Sequence, residues 1–195
     1  MKQKSSMLLY IHGFNSSPKS QKATILTQYC RTHYPHIKVV TPKLPVFPLE
    51  AVNYLSALIG QYQHEYHIGL VGSSLGGYMS IWLNSLFQLK TVLVNPAVRP
   101  YELLVDYLGE QVNPYTHEHY FLAPHHIDEL RSLDVSDIQS PDQFLLLQQT
   151  GDEVLDYRQA VAKMSHSKQI VEEGGDHSFV GFERHCGTIL QFLAL

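Results

Sequence analysis

The stretch Gly72-Ser73-Ser74-Leu75-Gly76-Gly77 sets Ser74 between glycines two positions before and two after it. It directly follows the apolar run His67–Val71 and directly precedes an amphipathic segment. Strand, sharp turn, helix is the context in which a G-x-S-x-G turn lifts a serine hydroxyl above the end of a sheet. Register selects Ser74 over Ser73, whose corresponding neighbours are Val71 and Leu75, because both flanks of so tight a turn must be small. A hydroxyl is a poor nucleophile at its own pKa, so the motif needs a histidine base and an orienting carboxylate elsewhere in the chain. Without them it is a glycine-rich turn.

Both follow in the order Ser, acid, His. The strand candidate Gln143–Gln148 runs into Thr150-Gly151-Asp152-Glu153-Val154-Leu155-Asp156. Asp152 lies nearest the strand end and is the candidate acid, with Glu153 and Asp156 as competitors. Asp156 also suits the N-cap of the next helix. The base should lie between the last strand and the last helix, where Gly174-Gly175-Asp176-His177-Ser178-Phe179 offers His177. His166 and His185 fall at or within helices and read as surface or packing residues. Acyl transfer further needs two donors for an oxyanion, each contributing about 3 kcal/mol to the transition state. The N–H of Leu75 is one, and the N–H of Phe14, in the loop His12-Gly13-Phe14 after the first strand, is the other. His12 then serves as a structural residue of that loop.

These residues must be carried by a sheet. Short apolar runs at Met7–Ile11, Ile37–Thr41, His67–Val71, Thr91–Asn95, Gln143–Gln148 and Lys168–Glu172 alternate with amphipathic stretches. That alternation indicates an α/β fold, with about six parallel strands and helices on both faces. Ser17-Pro18 reads as the N-cap and first residue of a helix ending near Tyr34. Val52, Leu55, Leu58 and Ile59 mark a second, Leu75–Phe87 a third and Asp156–Ser165 a fourth. Phe182, Cys186, Ile189, Leu190 and Leu193 form the stripe of the last. About 45 residues from Pro96 to Gln139 separate two strands and are expected to form short helices, a lid-like insertion in a single domain spanning residues 1–195.

The chain has 195 residues and a net charge of −4, with 14 Lys plus Arg against 18 Asp plus Glu, so no basic field draws it to nucleic acid or anionic lipid. Met1-Lys2-Gln3-Lys4-Ser5-Ser6 has the look of a secretory n-region, but the apolar run after it is too short for a signal peptide. No run is long enough for a membrane span. Cys30 and Cys186 lack metal or redox spacing, so a cytoplasmic protein with reduced thiols is expected.

The insertion holds 4 of the 12 histidines, His117, His119, His125 and His126, without cysteines or a carboxylate pattern that would complete a metal site. They read as polar residues of an exposed lid. Tyr101, Tyr107 and Tyr115 are candidates for lining a substrate pocket together with Phe14, Tyr120 and Phe121, whereas Tyr78 belongs to the core. Arg99 is placed either to meet a carboxylate or phosphate on the substrate or to anchor the insertion through an ion pair.

With YIHGFNSSPKSQKA, GLVGSSLGGY, VNPAVRPYELLVDYLG, NPYT, LLLQQTGDEVLDYRQAV and EGGDHSFVGFE in view, the sequence closely resembles the small bacterial YqiA-type esterases of the α/β-hydrolase superfamily. These stretches run from Tyr10 to Glu183. The resemblance implies an α/β-hydrolase fold, cleavage of small-molecule acyl esters or thioesters, and the set Ser74, Asp152 and His177, with no metal or organic cofactor. Cleavage of another bond on the same fold, amide or carbon–carbon, and a catalytically inactive binding module are the alternatives.

Overall fold

A computed structural model describes residues 4–195. Met1, Lys2 and Gln3, the start of the stretch weighed as an n-region, lie outside the described residues. A six-stranded parallel sheet in the order β2-β1-β3-β4-β7-β8 forms the frame. Its strands are β1 (Ser5–Ile11), β2 (Lys38–Val40), β3 (Tyr66–Ser74), β4 (Thr91–Pro96), β7 (Phe144–Gln149) and β8 (Lys168–Glu172). The remaining two strands, β5 (Gly109–Val112) and β6 (His119–Leu122), pair antiparallel as a separate hairpin.

The four inner strands β1, β3, β4 and β7 are buried at nearly every position and mostly apolar because both faces are covered, whereas the edge strands β2 and β8 are partly exposed. Alternate side chains of β1 feed different cores: Met7, Leu9 and Ile11 enter one, Leu8 and Tyr10 the other. Helices α2 (Pro48–Tyr62) and α3 (Leu75–Phe87) close the first with Val52, Leu55, Ile59 and Leu83. The second is closed by α1 (Gln21–His33) and α7 (Cys186–Leu193) through Leu26, Cys30, Ile189 and Leu190. Helix α6 (Tyr157–Lys163) covers Phe144 and Leu146 with Ala160. Full burial of each such aliphatic side chain contributes about 1.5–3 kcal/mol. Cys30 and Cys186 are buried and unbridged. No helix among the described residues is long and apolar enough to cross a membrane.

Two local expectations are corrected. Helix α1 begins at Gln21, not at Pro18. The Ser17 hydroxyl accepts from the Lys19 N–H and the Ser17 carbonyl from the Ser20 N–H, a turn that uses up the capping groups before the helix starts. The insertion is not built of short helices alone. After α4 (Pro100–Leu103) and a 3₁₀ turn at Leu104–Tyr107 comes the β5–β6 hairpin, and only then α5 (Pro124–Ser132). Asn113 closes the hairpin, its Oδ1 accepting from the Tyr115 and Thr116 N–H groups while its Nδ2 donates to the Ser16 carbonyl. The insertion therefore leans on the loop after β1.

Candidate active site

Strand β3 ends at Ser74, whose backbone turns to φ 54°, ψ −123° before α3 begins. A non-glycine residue held there stores strain on the order of 1–3 kcal/mol, which the packing around it must offset. The flanking glycines explain how the turn fits. A Cβ on Gly76 would collide with the Ile11 carbonyl, and one on Gly72 with the Gly76 carbonyl and the Ser80 hydroxyl. The Ser74 carbonyl accepts from the Ala97 N–H at 3.0 Å, tying the turn to the end of β4.

Strands β7 and β8 supply the partners. Asp152 follows β7 with its side chain fully buried, and its Oδ1 accepts from the Val154 and Leu155 N–H groups at 2.9 Å each. Its other oxygen, Oδ2, lies 2.8 Å from His177 Nδ1. His177 Nε2 lies 3.1 Å from Ser74 Oγ. With Nδ1 donating to the carboxylate, Nε2 is left as the acceptor for the serine proton. Acid, imidazole and hydroxyl thus form one continuous chain of hydrogen bonds.

Glu153 and Asp156, the competing acids, sit elsewhere. Glu153 Oε2 accepts the His177 main-chain N–H at 3.0 Å, a contact that holds its carboxyl below the ordinary carboxylate range. Asp156 caps α6 through the Arg158 N–H at 3.1 Å. His12 donates within its own loop, Nδ1 to the Gly13 carbonyl at 3.0 Å, and burial lowers its pKa. His185 is buried against Glu172, 2.9 Å away.

Three supporting residues escaped the reading of the sequence. Asn95, fully buried at the bulge of β4, donates to the carbonyls of Asp176 at 2.9 Å and His177 at 3.3 Å. Gln149 accepts from the Asp176 and Val180 N–H groups, at 3.2 and 2.9 Å. Lys22, reaching across from α1, donates to the carbonyls of Ser178 at 3.1 Å and His177 at 3.4 Å. Burial pulls its pKa down to about 8 against the opposing pull of Asp152 and Asp176. The Asn-Pro pair ending a strand was the one available signal for Asn95.

Ser74, His177 and Phe14 border two cavities, with Leu75 and Tyr107 lining one and Tyr115 the other. Phe14 packs edge-on against Tyr107 and Tyr120, at 5.7 and 6.5 Å between ring centres. Tyr101 and Arg99 do not line either cavity. The Tyr101 hydroxyl donates to Asp134 at 3.2 Å, and Arg99 pairs with Glu102 at 3.5 Å on the exposed side of α4. The short helix turns Pro100 and Leu103 toward Ser74 instead. Tyr78 is core, its hydroxyl donating to the Leu130 carbonyl at 2.6 Å.

Among the described residues one group, His125, His126 and Glu129, brings three metal-ligand atoms within 4.8 Å of one another. Two of these side chains are already engaged. His126 Nδ1 accepts the Ala123 N–H, which leaves the proton on Nε2, and Glu129 accepts the Leu49 N–H. His126 also stacks on Phe47. The group serves α5 and its contact with α2, away from Ser74.

Comparison of families matches residues 7–194 to the Uncharacterised protein family (UPF0227). The chain belongs to that family. Solved structures similar to this UPF0227 chain are α/β-hydrolases and esterases. Est1E from Butyrivibrio proteoclasticus, seen with ferulic acid bound, superposes with a TM-score of 0.79 at 13% identity, covering 98% of this chain and 89% of its own. Alpha/beta hydrolase domain-containing protein 10 from mouse gives 0.74 at 19% identity, with 100% and 92% covered. An a/b serine hydrolase without lid from Xanthomonas campestris gives 0.63 at 13% identity, with 98% and 83% covered. At these identities the likeness is one of fold, and the UPF0227 chain has the α/β-hydrolase fold with a small antiparallel hairpin inserted after β4.

Proposed function

We propose that this protein is a serine hydrolase that cleaves carboxylic esters, acyl thioesters included, through an acyl-enzyme on Ser74. The observation that carries the reading is the unbroken chain Asp152, His177, Ser74 at 2.8 and 3.1 Å. His177 Nε2 takes the Ser74 proton as Oγ bonds to the carbonyl carbon, and Asp152 stabilises the imidazolium. The Leu75 and Phe14 amides hold the oxyanion. His177 then gives its proton to the leaving oxygen or sulfur as that bond breaks. Water attacks the acyl group, passes a proton to His177, and Ser74 recovers it when the acid departs. The scheme requires neither metal nor organic cofactor. The likeness to YqiA-type esterases and the esterases among the structural neighbours support the same reading, and Est1E's ferulic acid makes small aromatic esters sensible first probes.

A fluorophosphonate probe tests it. Wild type should label and Ser74→Ala should not, with kcat on a cleaved ester falling on the order of 10⁶-fold, as in serine proteases. Equal labelling of both proteins would sink the assignment.

A further inference from the structure

The two cavities that meet at Ser74 and His177 differ in kind. One, of about 200 Å³, is walled by Ala97, Pro100, Leu103, Leu104, Tyr107 and Leu155. The other, of about 240 Å³, is walled by Ser16, Ser20, Gln21, Lys22, Tyr115 and Ser178. Phe14 stands on the border of both. An ester bond held at Ser74 would send one arm into each.

The polar cavity is lined by a residue whose hydroxyl has no well-aligned partner. Ser20 Oγ is buried and reaches no partner in hydrogen-bonding geometry. The Tyr10 hydroxyl beside it, pushed up to about 12 by burial, stays a neutral donor and acceptor, although the nearby Ser20 and Ser73 hydroxyls temper the shift. Ser20 occupies the N-cap position of α1 yet its side chain caps no N–H. A hydroxyl left over in this way gains a partner when the Ser20 side chain turns toward a ligand group in the cavity that the residue lines.

The one cation lining this cavity, Lys22, is already engaged. Lys22 spends two donors on the carbonyls of His177 and Ser178 and faces the carboxylates of Asp152 and Asp176. One cation among two anions leaves no positive excess for an anionic ligand. The remaining recognition groups are hydroxyls and an amide, which suit neutral hydroxyl groups. In the apolar cavity, at roughly 30 Å³ per small group, there is room for about six or seven methylene-sized units.

We propose that the physiological substrate joins an apolar arm of about six carbons to a neutral, hydroxyl-rich arm, as in an ester of a glyceryl or monosaccharide unit. The inference rests on the serine-esterase reading and sharpens it. Four probes separate the two: 1-hexanoylglycerol and hexyl glycerate, which carry the hydroxylated arm on either side of the ester, against hexyl hexanoate and monohexyl succinate. At least one hydroxylated ester should exceed both others in kcat/KM by about tenfold or more. Ser20→Ala should shrink that ratio at least threefold, chiefly through KM, while fluorophosphonate labelling verifies that the variant is folded. If hexyl hexanoate or the succinate is cleaved as well as both hydroxylated esters, or if the enzyme labels but cleaves none of the four, this proposal is overturned and the hydrolase reading stands. Absence of both labelling and turnover overturns the two together.

Discussion

Asn95 and His177 are joined across the end of the sheet by an amide donating to a carbonyl at 3.3 Å, with a second bond from the same amide to the Asp176 carbonyl at 2.9 Å. The other end of Asn95 accepts from the Gln148 side chain at 3.0 Å and the Gln149 N–H at 2.9 Å. One buried side chain at the β4 bulge therefore fixes the loop of the proposed base relative to β7. Asn95→Asp keeps the acceptor but loses both donors and turns a charge toward two carbonyls. We expect kcat to fall 10- to 100-fold, in line with the cost of small displacements of positioned groups, and thermal stability to fall by about 1–3 kcal/mol for the unpaired buried groups. Because Asn95 acts through His177, the pH profile of kcat should move as well. A variant that loses stability with an unmoved profile would mark Asn95 as purely structural.

The three acids after β7 make separable predictions. Asp152→Asn leaves the shape intact but favours the wrong imidazole tautomer, and kcat should drop on the order of 10⁴-fold, the value seen for that change in a serine protease. Glu153→Gln keeps an acceptor for the His177 N–H and should cost less than tenfold. Asp156→Ala removes a helix cap, so stability falls by about 1 kcal/mol with kcat unchanged. Steady-state kinetics and melting curves on the three variants check this ordering, and a larger loss from Glu153→Gln than from Asp152→Asn would reverse the assignment.

Two glycine-to-alanine changes, one in the tight turn after Ser74 and one within α2, should have opposite effects. In Gly76→Ala the new Cβ meets the main-chain carbonyls of Ile11 and His12, at the end of β1, a strand paired on both sides by β2 and β3, so neither can yield. The variant should lose several kcal/mol or fail to fold. Gly60 lies within α2 with nothing within 4 Å of an added Cβ. Gly60→Ala should raise stability by about 0.5–1 kcal/mol through the restricted unfolded chain. Chemical denaturation of both variants decides.

What could be read from the residues was whatever local pattern determines. The inner strands were legible because burial on two faces writes long apolar runs, the edge strands β2 and β8 because a short apolar pair recurs between helical stretches, and α3 because Ser74-Leu75-Gly76-Gly77 leads straight into a helical stripe. The β5–β6 hairpin was not legible: Gly109–Val112 and His119–Leu122 are half exposed, mix polar with apolar residues, and owe their shape to Asn113 reaching the Ser16 carbonyl. Tyr101 and Arg99 were chosen by type within the insertion, but the four-residue helix α4 decides which side chains face Ser74, and such short helices leave no period to read. Lys22 and Asn95 matter through contacts 155 and 82 residues away in the chain, beyond any local signal.

Lys22 supplies a prediction in pH. Its pKa falls from the ordinary 10.5 to about 8 because the ammonium is drawn out of water, and its place in the first turn of α1 sets a cation against the helix dipole. Below about pH 8 folded and unfolded chains both carry this proton. Between about 8 and 10.5 the unfolded chain carries it and the folded chain does not. Unfolding then takes up a proton, so this group makes stability rise with pH across that window. Lys22→Met removes the contribution while retaining the length of the side chain, and every other titrating group is common to both proteins. The melting temperature of wild type minus that of the variant should therefore become more positive from about pH 8 upward. A difference that stays flat or turns negative over the same range would mean that the Lys22 ammonium remains hydrated in the folded protein, and its hold on the His177 loop would then be that of a surface contact.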